Sequence, residues 1–167
     1  METKEVIQAI VDLFTEAYAG PPDPRSTWFI DNEPDSGVLG ILSTVTAQEA
    51  SWSSHQNDPG TTIASHVEHL RWSLANASEA LEGQAYQGNW KESWNTLEAN
   101  DEKWQQLKDS LGAEYERLRL NLLKQEELAG IYLRGVMALL PHAAYHLGTI
   151  RQLVERARSA ADHPSGA

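Results

Sequence analysis

Apolar residues recur at spacings of three and four in four long stretches of this chain, and nowhere do they alternate over any length. Val6, Ile10, Leu13, Phe14 and Ala17 mark the first stripe, over Thr3–Ala19, which Gly20, Pro21, Pro22 and Pro24 end. Ile63, Val67, Leu70, Leu74, Ala77 and Leu81 hold one face of a second helix over about 62–81, opened by a Thr in N-cap position and closed by Gly83 and Gly88. Trp104, Leu107, Leu111, Tyr115, Leu118 and Leu122 mark a third over about 101–124, with Asp101 and Glu102 at its electropositive end. Tyr132, Val136, Leu139, Ala143, Ile150, Leu153, Val154 and Ala157 mark a fourth over about 126–160, and Pro141 inside it removes one backbone hydrogen bond. A helix with one apolar stripe gains stability by covering it, so four of them in one short chain predict an all-α, four-helix bundle. The first two long helices are separated by a stretch rich in Pro, Gly, Asp, Asn and Ser. It reads as a long crossover connection with one short helix near 47–52, and its run Val38, Leu39, Ile41 and Leu42 must be covered by something.

With 167 residues and 41% hydrophobic content the chain suits one domain, expected over residues 1–160, with 161–167 as a disordered tail. Thirteen Lys and Arg against 24 Asp and Glu give a net charge of -11. The phosphate attraction that supplies most nucleic-acid affinity would here be repulsion, so no nucleic-acid partner is expected. The mean hydropathy of -0.48 and the lack of a long apolar run argue against a membrane span, and the N-terminal sequence lacks the pattern of a secretion signal. The default expectation is a cytoplasmic protein. The absence of cysteine excludes thiolate metal sites and cysteine nucleophiles, which leaves histidine and carboxylate to carry any chemistry.

Six histidines are present, and four sit on predicted helices. His142 and His146 stand one helical turn apart, so both imidazoles project from one side of the fourth helix. At about 100° per residue, His146 falls inside the apolar arc and His142 at its margin. On the second helix His66 lies on the border of the arc, whereas His69 points about 60° further toward solvent and reads as a solvent-facing histidine, with a group supporting the ligands or an alternative ligand as its other readings. His66, His142 and His146 thus form the ligand set of a three-histidine site with a fourth position left to water or substrate. Spacing alone equally allows a set of core histidines bonded to carbonyls or carboxylates. His55 falls in a polar loop and His163 in the tail; both read as bystanders, and Glu68 as one carboxylate of a solvated face. Six tryptophans is high for this length, and Trp52, Trp72, Trp90, Trp94 and Trp104 serve either as core or as the lining of an apolar pocket.

The segment ThrThrIleAlaSerHisValGluHisLeuArgTrpSerLeu, followed later by ProHisAlaAlaTyrHisLeuGlyThrIleArgGlnLeu, resembles the DinB-like (DinB/YfiT-like) metalloprotein superfamily. AsnTrpLysGluSerTrp and the Trp104 helix extend the likeness over most of the chain. The resemblance implies a four-helix bundle of up-up-down-down connection, often dimeric, with a divalent metal held by one His of the second helix and an HxxxHxG pair of the last. Carried over by position, those ligands fall on His66, His142 and His146; the Gln-Ile that commonly follows the glycine is here Thr149 and Ile150.

Three imidazoles suit zinc or nickel as the metal; the resemblance further implies a low-molecular-weight thiol as a cofactor and a metal-dependent enzyme of thiol-dependent transferase or isomerase type acting on a small-molecule substrate. A metal-dependent hydrolase and a non-catalytic, stress-related metal-binding dimer are the alternatives. No catalytic base stands out in the sequence. Arg71 and Arg151, each five residues beyond an expected ligand, are candidates to attract an anionic thiol or to form surface ion pairs. A homodimer is expected to use Trp28, Phe29 and the Val38 to Leu42 run.

Overall fold

The computed structural model describes residues 3–53, 60–84 and 88–163, and these are all-helical, with no strand among them. Four long helices form the body: α1 (Thr3–Ala19), α4 (Ile63–Leu81), α5 (Asp101–Leu123) and α6 (Gly130–Asp162). Two short helices, α2 (Val38–Ser43) and α3 (Ala47–Ser51), lie in the first connection, and a 3₁₀ turn, Trp90–Trp94, lies in the connection between α4 and α5. Among the described residues, no helix is long and apolar enough to cross a membrane.

The helix ends follow from local chemistry. The Thr62 hydroxyl accepts the Ser65 N–H at the start of α4, and the Asn100 side chain accepts the Lys103 N–H at the start of α5. Thr46 and Glu49 form a reciprocal capping box on α3. After α1 the chain turns at Gly20, where φ is +98° and any Cβ would run into the carbonyl of Pro34. The fourth long helix runs on to Asp162, into the segment expected as a tail; residues 164–167 lie outside the described ones.

Each long helix packs on two others. α4 lies between α5 and α6, and α1 closes the ring on the far side against the same two. The stripes meet in one core. Phe14 and Tyr18 of α1 pack on the Tyr115 ring of α5 with centroids 5.4 and 5.5 Å away, and the Trp104 indole N–H donates to the Val45 carbonyl at 2.8 Å. Val38 and Leu42, expected as part of a dimer surface, are instead buried within the chain, because α2 turns them onto the core.

Two helix directions bear on the site. Glu82, just past α4, binds Arg117 and Asn121 near the end of α5 at 2.6–2.8 Å, while Ser51, Thr61 and Thr62 at the other end lie beside Ala99 and Lys103. Hence α4 and α5 run parallel. An up-up-down-down bundle would set the second and third long helices antiparallel, so this order departs from that expectation. A parallel pair requires the chain to travel back along the whole of α4, about 28 Å for its 19 residues, and the segment 82–100 is long enough to do so. This return segment carries the 3₁₀ turn across the first turns of α4. α6 then runs antiparallel to α4, its Ile131 and Tyr132 lying beside Ala80 and Leu81 at the far end of the seam.

Candidate metal centre

The antiparallel crossing of α4 and α6 brings the first two turns of one against the middle of the other, where each carries two histidines. His66 and His69 project from α4; His142 and His146 project one turn apart from α6, just beyond Pro141. His66, His69 and His146 are buried and His142 is half-buried.

The Nε2 atoms of three of these rings converge. His142 Nε2 lies 3.0 Å from His69 Nε2 and 3.0 Å from His146 Nε2. His69, His142 and His146 form a group whose ligand atoms all fall within 4.8 Å of one another and which can hold one metal ion. Metal–nitrogen bonds near 2.0–2.1 Å would set ligand nitrogens about 3.3 Å apart, close to the two 3.0 Å spacings about His142. Protons alone serve this cluster poorly, since neutral rings here have one Nε2–H, at most, to share among three converging nitrogens. The donor set therefore fits a divalent cation.

The fourth imidazole stands behind the three. His66 Nδ1 is 2.7 Å from His146 Nδ1, and His66 Nε2 is 2.9 Å from the Gly60 carbonyl oxygen. On the other flank, Ser93 donates its hydroxyl proton to the Trp90 carbonyl and accepts the His69 Nδ1–H at 2.6 Å. That bond leaves the His69 Nε2 lone pair free to face the cluster. Trp94 stacks on the His69 ring with centroids 4.0 Å apart and planes 17° from parallel, and stands edge-on to His66 at 5.3 Å. Trp72 and Trp90 complete the wall around His69 at 6.4 and 6.3 Å.

Burial holds all four imidazoles below the ordinary histidine value, so they are neutral at physiological pH. His69 is lowered to about 4, by desolvation first and then by the His142 and His66 rings. His146 is lowered furthest, by desolvation and by its three neighbours; for His66, the Gly60 carbonyl opposes the effect of burial. Neutral imidazole is the form that donates a lone pair to a metal.

The sequence expectation drew its α4 ligand from His66. The structure brings all four rings together but gives the third Nε2 of the converging group to His69, with His66 meeting His146 through the other ring edge. His69, which helical phase turns toward solvent and which the sequence leaves as the alternative ligand, is only 7% exposed. The apolar arc of α4 was drawn from aliphatic residues alone, and the turn that covers His69 arrives from the return segment.

Of the other expected residues, Glu68 and Arg71 pair with each other at 2.7 Å. Arg151 pairs with Asp31 and donates to the Ser36 carbonyl. Neither arginine points a free guanidinium at the cluster. His163 follows α6 at the surface, and His55 lies outside the described residues. Trp104 is core, whereas Trp72, Trp90 and Trp94 belong to the site; AsnTrpLysGluSerTrp was the only sequence signal for the turn that carries two of them.

Further along the α4/α6 seam, from Trp72 to Leu81 on α4, lies a groove of about 530 Å³ bordered by Trp72, Ala77, Leu81, Ile131, Tyr132 and Val136; Trp72, which packs near His69, is its nearest link to the cluster. Small side chains at Ser73, Ala77, Ala80 and Gly135 leave it open; a Cβ added at Gly135 would meet nothing within 4 Å. Compared with known protein families, curated proteins and solved structures, the chain matches none.

Proposed function

We propose that this chain is a DinB-like metalloprotein that binds zinc or nickel through His69, His142 and His146 and works as a thiol-dependent transferase or isomerase on a small molecule. The convergence of three Nε2 atoms carries the reading. Three neutral histidine ligands bring no negative charge, so a divalent ion bound to them keeps its full charge and acidifies a thiol or a water that reaches its open position. The chain's own residues would do the rest. Ser93 and the Trp94 ring hold His69 in place, and Trp72, Trp90 and Trp94 keep bulk water from one side of the cluster. The groove that begins at Trp72 is within the size range of small-molecule sites and would take the apolar part of a substrate.

The carboxylates favour a thiol over water as the nucleophile. A hydrolase needs a base to steer and deprotonate water, and Glu68, the carboxylate on α4 between the two histidines, is committed to Arg71. A thiol, whose ordinary pKa of about 8.5 lies far nearer neutrality than that of water, would release its proton to solvent on binding and needs no dedicated base. The chain is further proposed to act as a homodimer, with the exposed Trp28 and Phe29 of the first connection as the candidate contacts.

The test is a cobalt-substituted protein titrated with millimolar cysteine-, glucosamine- and glutathione-type thiols. A change in the cobalt absorption bands, absent in His142→Ala, is expected. Bands unmoved by all three would overturn the thiol reading in favour of a hydrolytic or non-catalytic metal protein.

A further inference from the structure

His66 is buried, carries two polar contacts, and is not part of the converging Nε2 group. A carbonyl oxygen only accepts, so the 2.9 Å contact to Gly60 places a proton on His66 Nε2. A neutral ring has one N–H, and His66 Nδ1 is therefore an acceptor. The 2.7 Å contact between the two Nδ1 atoms must then be donated by His146. With its proton on Nδ1, His146 presents a bare lone pair at Nε2, 3.0 Å from His142 Nε2. The chain of protons runs from the Gly60 carbonyl through His66 to His146, with one arrangement that fits both contacts of His66.

We propose that His66 is a positioning residue that fixes the tautomer and orientation of His146, with the Gly60 carbonyl as its anchor. The backbone at Gly60 is built for this. Its φ of +81° turns the carbonyl back over the start of α4, and the Trp94 ring comes within 3.3 Å of where a Cβ would stand, so both conformation and space call for glycine. Ser93 performs the matching service for His69 from the 3₁₀ turn. Two of the three converging nitrogens thus have their lone pairs set by groups outside the cluster.

The inference deepens the metal-site reading, but its first test needs no metal. In the metal-free full chain labelled with ¹⁵N-histidine, imidazole NMR should show His146 protonated at Nδ1 and His66 at Nε2. In His66→Phe the His146 signal should shift toward the Nε2–H form, and His66→Gln should restore Nδ1–H, because its amide offers an acceptor to His146 and a donor to Gly60. An Nε2–H His146 in the wild type, or a tautomer indifferent to His66→Phe, would overturn the proposal. In the second arm, zinc affinity should fall about 10- to 100-fold in His66→Phe, with one ion per chain retained, and return to within a few fold in His66→Gln. Loss of the ion in both variants would make His66 a ligand and overturn the positioning role. A wild-type protein that binds no ion would defeat the metal reading alone, leaving the tautomer to be judged by the NMR.

Discussion

The imidazole of His69 and the indole of Trp94 lie face to face, 4.0 Å between centroids, although one belongs to α4 and the other to the segment that returns along it. The stack couples an emitting ring to the metal-ligand group. Nickel or cobalt added to the metal-free protein should quench tryptophan emission in proportion to occupancy. Trp94→Leu should remove part of that response, Trp72 and Trp90 also standing beside His69, and weaken binding several-fold without unfolding the bundle, because Trp94 sits in the return segment rather than in the core. Titration by fluorescence checks the first point and calorimetry the second.

Acid should destabilise the metal-free fold. His69 titrates near 4 in the folded chain and near 6.5 unfolded, and His66, His142 and His146 are displaced in the same direction. As pH falls, the unfolded chain takes up protons first, so the stability from neutral burial is complete above about pH 6.5 and is lost toward pH 4. His69 contributes a slope of up to about 1.4 kcal/mol per pH unit in that window, and the other three rings act in the same direction. Urea melts between pH 7.5 and 4.5 should show this steep loss, and His69→Phe should flatten it.

Filling the groove should separate substrate binding from metal binding. Gly135→Leu places a side chain where nothing stands within 4 Å and exchanges a poor helix former for a good one, a gain of up to about 1 kcal/mol. Melting temperature and metal content should hold or rise. An alkyl thiol should act on the cobalt bands at least about tenfold more weakly, while 2-mercaptoethanol, too short to fill the groove, is unaffected.

Tyr18 carries a phenol that is wholly buried and unpaired among the described residues, and burial pushes its pKa far above the ordinary value. Removing a buried hydroxyl that lacks a partner relieves about 1 kcal/mol of desolvation. Tyr18→Phe keeps the stack on Tyr115 and should melt at or above the wild-type temperature, whereas Tyr18→Ala should lose about 3–5 kcal/mol.

The long helices are legible because each carries a stripe, and three of them carry signals at an end as well: Gly20 and the prolines after α1, Thr62 before α4, Asp101 and Glu102 at the start of α5. The helix directions are not, since the stripes of α4 and α5 read the same whether the pair runs parallel or antiparallel, and only the path of 82–100 decides. The site followed the same division. His142 and His146 are paired by spacing within one helix. The choice between His66 and His69 depends on Ser93 and Trp94, which reach α4 from a segment with no periodic pattern to announce where it lies.

Elemental analysis of purified wild-type protein and its single histidine variants, after loading with zinc and desalting, bears most directly on the metal centre. Close to one equivalent is expected in the wild type and in His66→Gln, and almost none in His69→Ala, His142→Ala or His146→Ala. A wild type without metal, or a His69→Ala protein that keeps its ion while His66→Gln loses it, would overturn the assignment.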